Sequence, residues 1–398
     1  MKYKLRNLLC IIISGLIAAT SSCGSDEPSP DPAKPERHIE RTLLVYMAAN
    51  NSLGNDIHNS STDIPAADGE DLKEMQAAAA AGHLGNNRLL VYHSAADGSD
   101  ALYEVTKSGL EKLKEYNDGN ISVSIARMTD VLDDAKELAP ADNFALVLWS
   151  HGNGWNNDGY NDPDDRHRTW GEHQGKMMNI TALRTALEGQ NLEYIYFDCC
   201  YMGTVEVAYE LRKVAPYIVA SASELPRDGM PYDKTLRYLM RGQSSLTDAA
   251  RTTYEHYNAK DDARERTCTI AVIETAGLDR LARATTAIYD VTPLPHPGNN
   301  VTNYRNSNRH GYAIDFGEYV SALAADSQLP AALTTEFESA LAAVVKYAAA
   351  TPTLWDTYQI YHHSGLATYV FDIPSDYDRR GYSQLDWAID VVSHHLHD

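Results

Sequence analysis

Two stretches of the chain end in groups that can make and break an acyl bond. "FALVLWSHGNGW" (144–155) carries His151 out of an apolar run, and "YIYFDCCYMG" (194–203) carries the adjacent thiols of Cys199 and Cys200 out of another. An imidazole exchanges protons near neutral pH, and a thiol becomes a strong nucleophile once ionised. A His and a Cys brought together therefore point to acyl transfer through a thioester, with the imidazole as acid and base.

The pleat separates the two cysteines. Side chains alternate along a strand, which sets Tyr194, Tyr196, Asp198 and Cys200 on one face and Ile195, Phe197 and Cys199 on the other. Cys199 shares its face with two large apolar groups and reads as a small buried hydrophobe. Cys200 stands at the strand's end, before a helix expected from Thr204, where a helix N-terminus and an imidazole favour thiolate.

Positioning these ends falls to an alternation of strands and helices. Strands are expected at 41–49, 87–95, 143–151, 192–200 and 215–223, with helices at 70–82, 130–139, 180–189 and 204–214 between them. Nearly continuous apolar strands belong to a mostly parallel sheet covered on both faces, so the fold class is α/β. Ligands bind outside the carboxyl ends of such strands. If 143–151 and 192–200 are neighbours, joined through the helix at 180–189, His151 and Cys200 meet at one edge. The later third reads as helix at 247–259 and 333–350 and strand at 267–275 and 365–374, with a break at "VTPLPHPGNN" (291–300).

The chain has 398 residues, 43% of them hydrophobic, enough for a substantial core. A net charge of −21 argues against binding nucleic acid or an anionic membrane surface, and basic partners are expected. Residues 1–22 read as an export signal, with Lys2, Lys4 and Arg6 before the apolar run 8–19. The junction before Cys23 resembles that of a bacterial lipoprotein, which implies a lipidated Cys23 and an outer-membrane or cell-surface location in a Gram-negative bacterium. Ordinary cleavage to a periplasmic or secreted protein is the alternative. Removing 1–22 would take the charge from −21 to −24, since the segment has three basic residues and no acidic one. Residues 23–39, rich in Pro, Ser, Asp and Glu, form the expected tether. The catalytic core is then 40–240, and 241–398 the C-terminal part of the same domain.

In "LLVYMAANNSL", "DLKEM", "ARMTDVLDDAKELAPADNFALVLWSHGNGW", "YIYFDCCYMGTVEVAYEL", "VASASELPRDGMPYD", "IDFGEYV" and "GLATYVFDIP" the chain resembles the clostripain family of cysteine peptidases. These are relatives of caspases, legumains and gingipains with a caspase-like α/β/α sandwich, here expected to carry a C-terminal α+β extension. The 49 positions between His151 and Cys200 lie close to the caspase-type spacing of about 50. The resemblance implies a Cys200/His151 dyad, an oxyanion hole at Gly152 and Cys200, and cleavage after Arg or Lys. A basic side chain would meet Asp198 and Asp228 at the pocket floor. Met230 stands where the family has Trp, Arg227 adjoins Asp228 and could offset its charge, and "NNSL" replaces the family's acidic and Asn residues after the first strand.

The acidic loop "NNDGYNDPDDRHR" (156–168) carries Arg166 and Arg168 between the catalytic pair, and cleavage there by the enzyme itself is an expected activation step. No cofactor is required. Calcium could bind that loop, though it lacks the D-x-[DN]-x-[DN]-G-x5-E pattern. His362, His363 and the tail "HHLHD" are left as surface histidines with no metal. Two rivals stand beside protease: an inert surface binding lipoprotein of the same fold, and a transpeptidase sharing the acyl-enzyme.

Overall fold

The computed structural model describes residues 38–58, 63–155, 169–292, 301–304, 312–370 and 381–392. The export signal, most of the tether, Cys23, the loop 156–168 with Arg166 and Arg168, and the C-terminal histidines lie outside the described residues.

Among the described residues nine strands form one sheet: β1 (Arg41–Ala48), β2 (Arg88–Ser94), β3 (Asp100–Thr106), β4 (Gly109–Glu115), β5 (Asn143–Trp149), β6 (Leu192–Asp198), β7 (Tyr217–Ala220), β8 (Thr269–Glu274) and β9 (Val345–Ala350). Their spatial order is β9-β8-β7-β6-β5-β1-β2-β3-β4. The five central strands β7, β6, β5, β1 and β2 pair in parallel, and two antiparallel strands extend each side. Residues after 241 thus complete the core sheet with β8 and β9.

Alternation along each strand feeds two cores. In β1, Leu44, Tyr46 and Ala48 join one apolar cluster, while Leu43, Val45 and Met47 join the other. The first cluster is covered by α2 (Ile125–Leu138), α3 (Ile180–Leu187), α4 (Val205–Glu210), α7 (Leu278–Tyr289), α8 (Phe316–Asp326) and α9 (Ala331–Val344). The second lies under α1 (Ala67–Ala80), α5 (Tyr232–Leu239) and α6 (Leu246–Asn258). Each fully buried Leu, Val or Ile stabilises this sandwich by about 1.5–3 kcal/mol.

Side-chain caps set several helix starts. Ser124 accepts from Arg127 N, Asn179 from Ala182 N and Thr204 from Val207 N. One expectation is corrected. The stretch 333–350 is not one helix: α9 stops at Val344, and Val345–Ala350 pairs antiparallel with β8, where the Val-Lys-Tyr alternation suits a sheet edge. The edge pair β3 and β4 lies outside the expected strands, and the charges of "GLEKLKE" guard an exposed strand edge.

Candidate active site

Three adjacent strands, β1, β5 and β6, release their chains at the same edge of the sheet. Asp198 pairs with Trp149 in parallel register, so His151 and Cys200 each stand two residues beyond the paired strands. Both line a cleft of about 570 Å³, together with Ser52 from the end of β1, Glu172, Asp198 and Arg227.

Backbone contact locks the two chain ends together. A Cβ on Gly152 would lie 2.4 Å from the Cys200 carbonyl oxygen, so only glycine permits this approach. Gly152 forms an isolated antiparallel bridge with Trp170, flanked by Gly171 N donating to His151 O (2.9 Å) and Asn153 N donating to Thr169 O (2.8 Å). In such a non-hydrogen-bonded pair the N–H of Gly152 points away from the bridge.

Cys200 sits on a sharp turn. Tyr201 has φ of 60°, a left-handed conformation that costs a non-glycine residue roughly 1–2 kcal/mol. The turn is held by Tyr201 N donating to Ser223 O (2.9 Å) and Gly203 N donating to Ser221 O (2.7 Å). Leu225 N donates to the Cys200 sulfur at 3.4 Å, and such a donor favours thiolate. The thiol also faces the Leu225 carbonyl at 3.9 Å, and helix α4, which follows, has only six residues. Cys199 is buried, and desolvation pushes its thiol well up, holding it neutral.

The half-buried His151 ring lies beside Ser52 and Glu172. Its Nε2 lies 2.9 Å from Ser52 Oγ and 3.8 Å from Glu172 Oε2. Asn51 frames this corner: its Nδ2 donates to Ala48 O (2.7 Å), Glu172 O (2.9 Å) and Ser150 Oγ (3.3 Å). The "NN" after β1 thereby ties three chain segments together.

Asp198 is buried on the cleft wall. It accepts from Met230 N (2.9 Å) and the Tyr232 hydroxyl (2.8 Å), and burial pushes its carboxyl up to about 7 against those bonds. Met230 contributes through its backbone, so the Trp-to-Met exchange leaves the carboxylate's partner in place. Gly229, with φ of 60°, lies against Asp198; a Cβ there would be 2.9 Å from Oδ1.

The expected buried pair of Asp198 and Asp228 is not formed. Asp228 is exposed and does not line the cleft. The second buried carboxyl is Asp71 of α1, which accepts from Trp149 Nε1 (2.6 Å) and is pushed well up by burial and by the Asp198 charge. Arg227 does not offset Asp228: it donates to Ser52 O (3.2 Å), Leu53 O (3.2 Å), Asn55 O (2.9 Å) and Pro65 O (3.3 Å). Of the pair at 362–363, His362 is exposed as expected, 3.7 Å from Asp315 Oδ1, whereas His363 is half-buried and its Nδ1 bonds the Tyr304 hydroxyl (2.6 Å). Asp315, Glu318 and His362 could reach one cation, but Asp315 already accepts from Glu318 N, Tyr304 and Ser364 N, the pattern of a helix cap.

Sequence reasoning missed Ser52, Glu172 and Asp71. Ser52 follows β1, whose carboxyl end abuts that of β5, so the strand-end rule could have found it. Asp71 lay inside the quoted "DLKEM", and its helical position gave no sign of the tryptophan it faces. Glu172 sits on the hairpin Trp170–His173 and Lys176–Met178, which carried no sequence signal.

With this geometry the family comparison is decisive, because the clostripain family model matches residues 45–325. The chain belongs to the clostripain family. As a member it is a cysteine peptidase, and solved structures agree in fold. An inactive zymogen C11 protease from Parabacteroides distasonis is 25% identical, with a TM-score of 0.74 over 89% of this chain and 98% of that one. A secreted C11 cysteine protease from Bacteroides thetaiotaomicron, solved with an irreversible peptide inhibitor, is also 25% identical, with a TM-score of 0.74 over 89% of this chain and 100% of that one. Comparison with curated proteins finds no match.

Proposed function

We propose that this clostripain-family chain is an endopeptidase acting through Cys200 and His151 and cutting after Arg or Lys. The observation that carries it is the backbone contact of Gly152 with Cys200 at the ends of two registered parallel strands. The Cys200 thiol gives its proton to His151, and the sulfur attacks the scissile carbonyl carbon. The carbonyl π pair moves to oxygen, toward the N–H groups of Gly152 and Cys200. Collapse breaks the C–N bond, and the leaving amine takes the proton from His151. Water, deprotonated by His151, then hydrolyses the thioester. Side chains, backbone N–H groups and water supply the groups this chemistry needs, so the proposed mechanism requires no cofactor; calcium at 156–168 would be structural.

Asp198 supports the basic preference, since a guanidinium or ammonium entering the cleft would replace the solvation its buried carboxylate lacks. Asp71 adds negative charge beside it. Protein or peptide substrates agree with the inhibitor complex of the secreted relative. Residues 1–22 and Cys23 support export and lipid anchoring; among the described residues no helix is long and apolar enough to cross a membrane. Arg166 and Arg168 are the proposed self-processing positions.

The test is hydrolysis of Arg-, Lys-, Asn- and Asp-terminated reporter peptides by wild type and Cys200→Ala. Equal turnover by both removes the nucleophile assignment, and preference for Asn or Asp removes the acidic pocket alone. A cut at Arg166 or Arg168 that persists in Cys200→Ala assigns processing to another protease.

A further inference from the structure

We propose that Ser52, with Glu172 behind it, is the positioning residue that fixes the His151 ring during proton transfer, an inference that rests on the Cys200–His151 reading. Three observations place it there. The Ser52 hydroxyl is within hydrogen-bond distance of Nε2, and the Glu172 carboxylate lies 3.8 Å from the same nitrogen. The Ser52 backbone is held on the cleft wall by Arg227, and Asn51 beside it bonds the Glu172 carbonyl and the Ser150 hydroxyl. Ser150 in turn accepts from Glu172 N (3.0 Å) and donates to Ala48 O (2.7 Å), so the chains carrying Ser52, His151 and Glu172 form one braced corner.

The chemistry follows from which nitrogen is taken. When Ser52 Oγ accepts the Nε2 proton, the neutral ring has its lone pair on Nδ1. That nitrogen receives the Cys200 proton as the sulfur adds to the carbonyl carbon, and returns it to the leaving amine as the C–N bond breaks. Between these steps the ring is an imidazolium, and the hydroxyl dipole and the carboxylate both favour its charge. The other charged groups on the cleft wall are Asp198, Glu224 and Arg227. Asp198 is bonded to Tyr232 and Met230, and Arg227 to loop carbonyls, while the Glu172 carboxylate lies 3.8 Å from Nε2. Ser52 is exposed in the free enzyme, and a peptide lying in the cleft would shield its bond from water.

The experiment compares wild type with Ser52→Ala, Ser52→Thr, Glu172→Gln, Cys200→Ala and, at a remote exposed serine, Ser108→Ala. Each is assayed on one Arg-terminated reporter from about pH 5 to about pH 9 and checked for folding by its thermal melt. Ser52→Ala is expected to lower kcat roughly tenfold or more with KM nearly unchanged, and Ser52→Thr to recover most of it. Glu172→Gln is expected to move the alkaline limb of the kcat profile down by up to about one pH unit. Wild-type kcat in Ser52→Ala, or a loss that Ser52→Thr does not recover, overturns the inference. Turnover by Cys200→Ala removes the dyad and this inference together, whereas inactivity there with an unaffected Ser52→Ala overturns the inference alone.

Discussion

Asp198 lies directly opposite Trp149 in the parallel pairing of β6 with β5. The indole of Trp149 also donates to Asp71, and Asp198 and Asp71 act electrostatically on one another, so this rung joins the sheet to the acidic wall of the cleft. Residues on either strand keep their relation only while the register holds. A slip of one position would turn Asp198 to the opposite core and separate His151 from Cys200.

Gly152→Ala is expected to cost activity without unfolding the protein. The added Cβ meets the Cys200 carbonyl at 2.4 Å, and relief requires the two chain ends to part. Displacing reacting groups by about 1 Å can cost on the order of 100-fold in kcat. The check is kcat beside the melting temperature; retained turnover would refute the contact's role.

The two adjacent thiols should differ sharply in alkylation. Cys200 is partly exposed and meets the Leu225 N–H, while Cys199 is buried and held neutral. Iodoacetamide under native conditions should modify Cys200 first, as peptide mass mapping would reveal. Cys199→Ala should keep its turnover and lose about 1 kcal/mol of stability through the small cavity left behind.

KM for Arg- and Lys-terminated reporters should fall as pH rises through about 7. The carboxyl of Asp198 is pushed up to that value by burial, so at lower pH the site holds a proton that a cationic side chain must displace. KM measured on either side of pH 7 tests this. A neutral-residue reporter, if cleaved, should lack the trend, and a flat KM for the basic ones would contradict it.

The same carboxyl makes stability depend on pH. Its value in the folded protein, about 7, exceeds the ordinary 3.8, so its contribution to stability is complete below 3.8 and is lost as pH rises through about 7. Asp198→Asn cannot ionise and escapes that loss, although its amide gives up one accepted hydrogen bond at a cost of roughly 1–2 kcal/mol at every pH. The melting temperature of the variant relative to wild type should therefore be higher at alkaline than at acidic pH. An opposite trend would mean that Asp198 is charged throughout.

The central strands were legible because apolar runs of seven or eight residues have few alternatives to a sheet covered on both faces. His151 and Cys200 were legible because the carboxyl-end rule needs only strand ends. Asp228 was misplaced for a physical reason: side-chain alternation locates Asp198 but says nothing of a residue in a turn, and Gly229 at positive φ leaves its neighbour in solvent. Asp71 and Ser52 were missed because their partners, Trp149 and His151, lie about 80 to 100 residues away along the chain. Pattern reading within one segment does not reach that far. Strand β9 was lost to alanine, which suits a helix by propensity and takes a sheet edge when β8 offers its hydrogen bonds.

The bridge between Gly152 and Trp170 closes the intervening chain at its base. A break at Arg166 or Arg168 would yield two polypeptides, one ending after β5 and the other starting before β6. Those strands are hydrogen-bonded neighbours at the centre of the sheet, and both halves contribute to each apolar core. The scission would leave a heterodimer of fragments migrating as one particle in native sizing and as two bands in denaturant. Processing at these positions would then leave the scaffold whole.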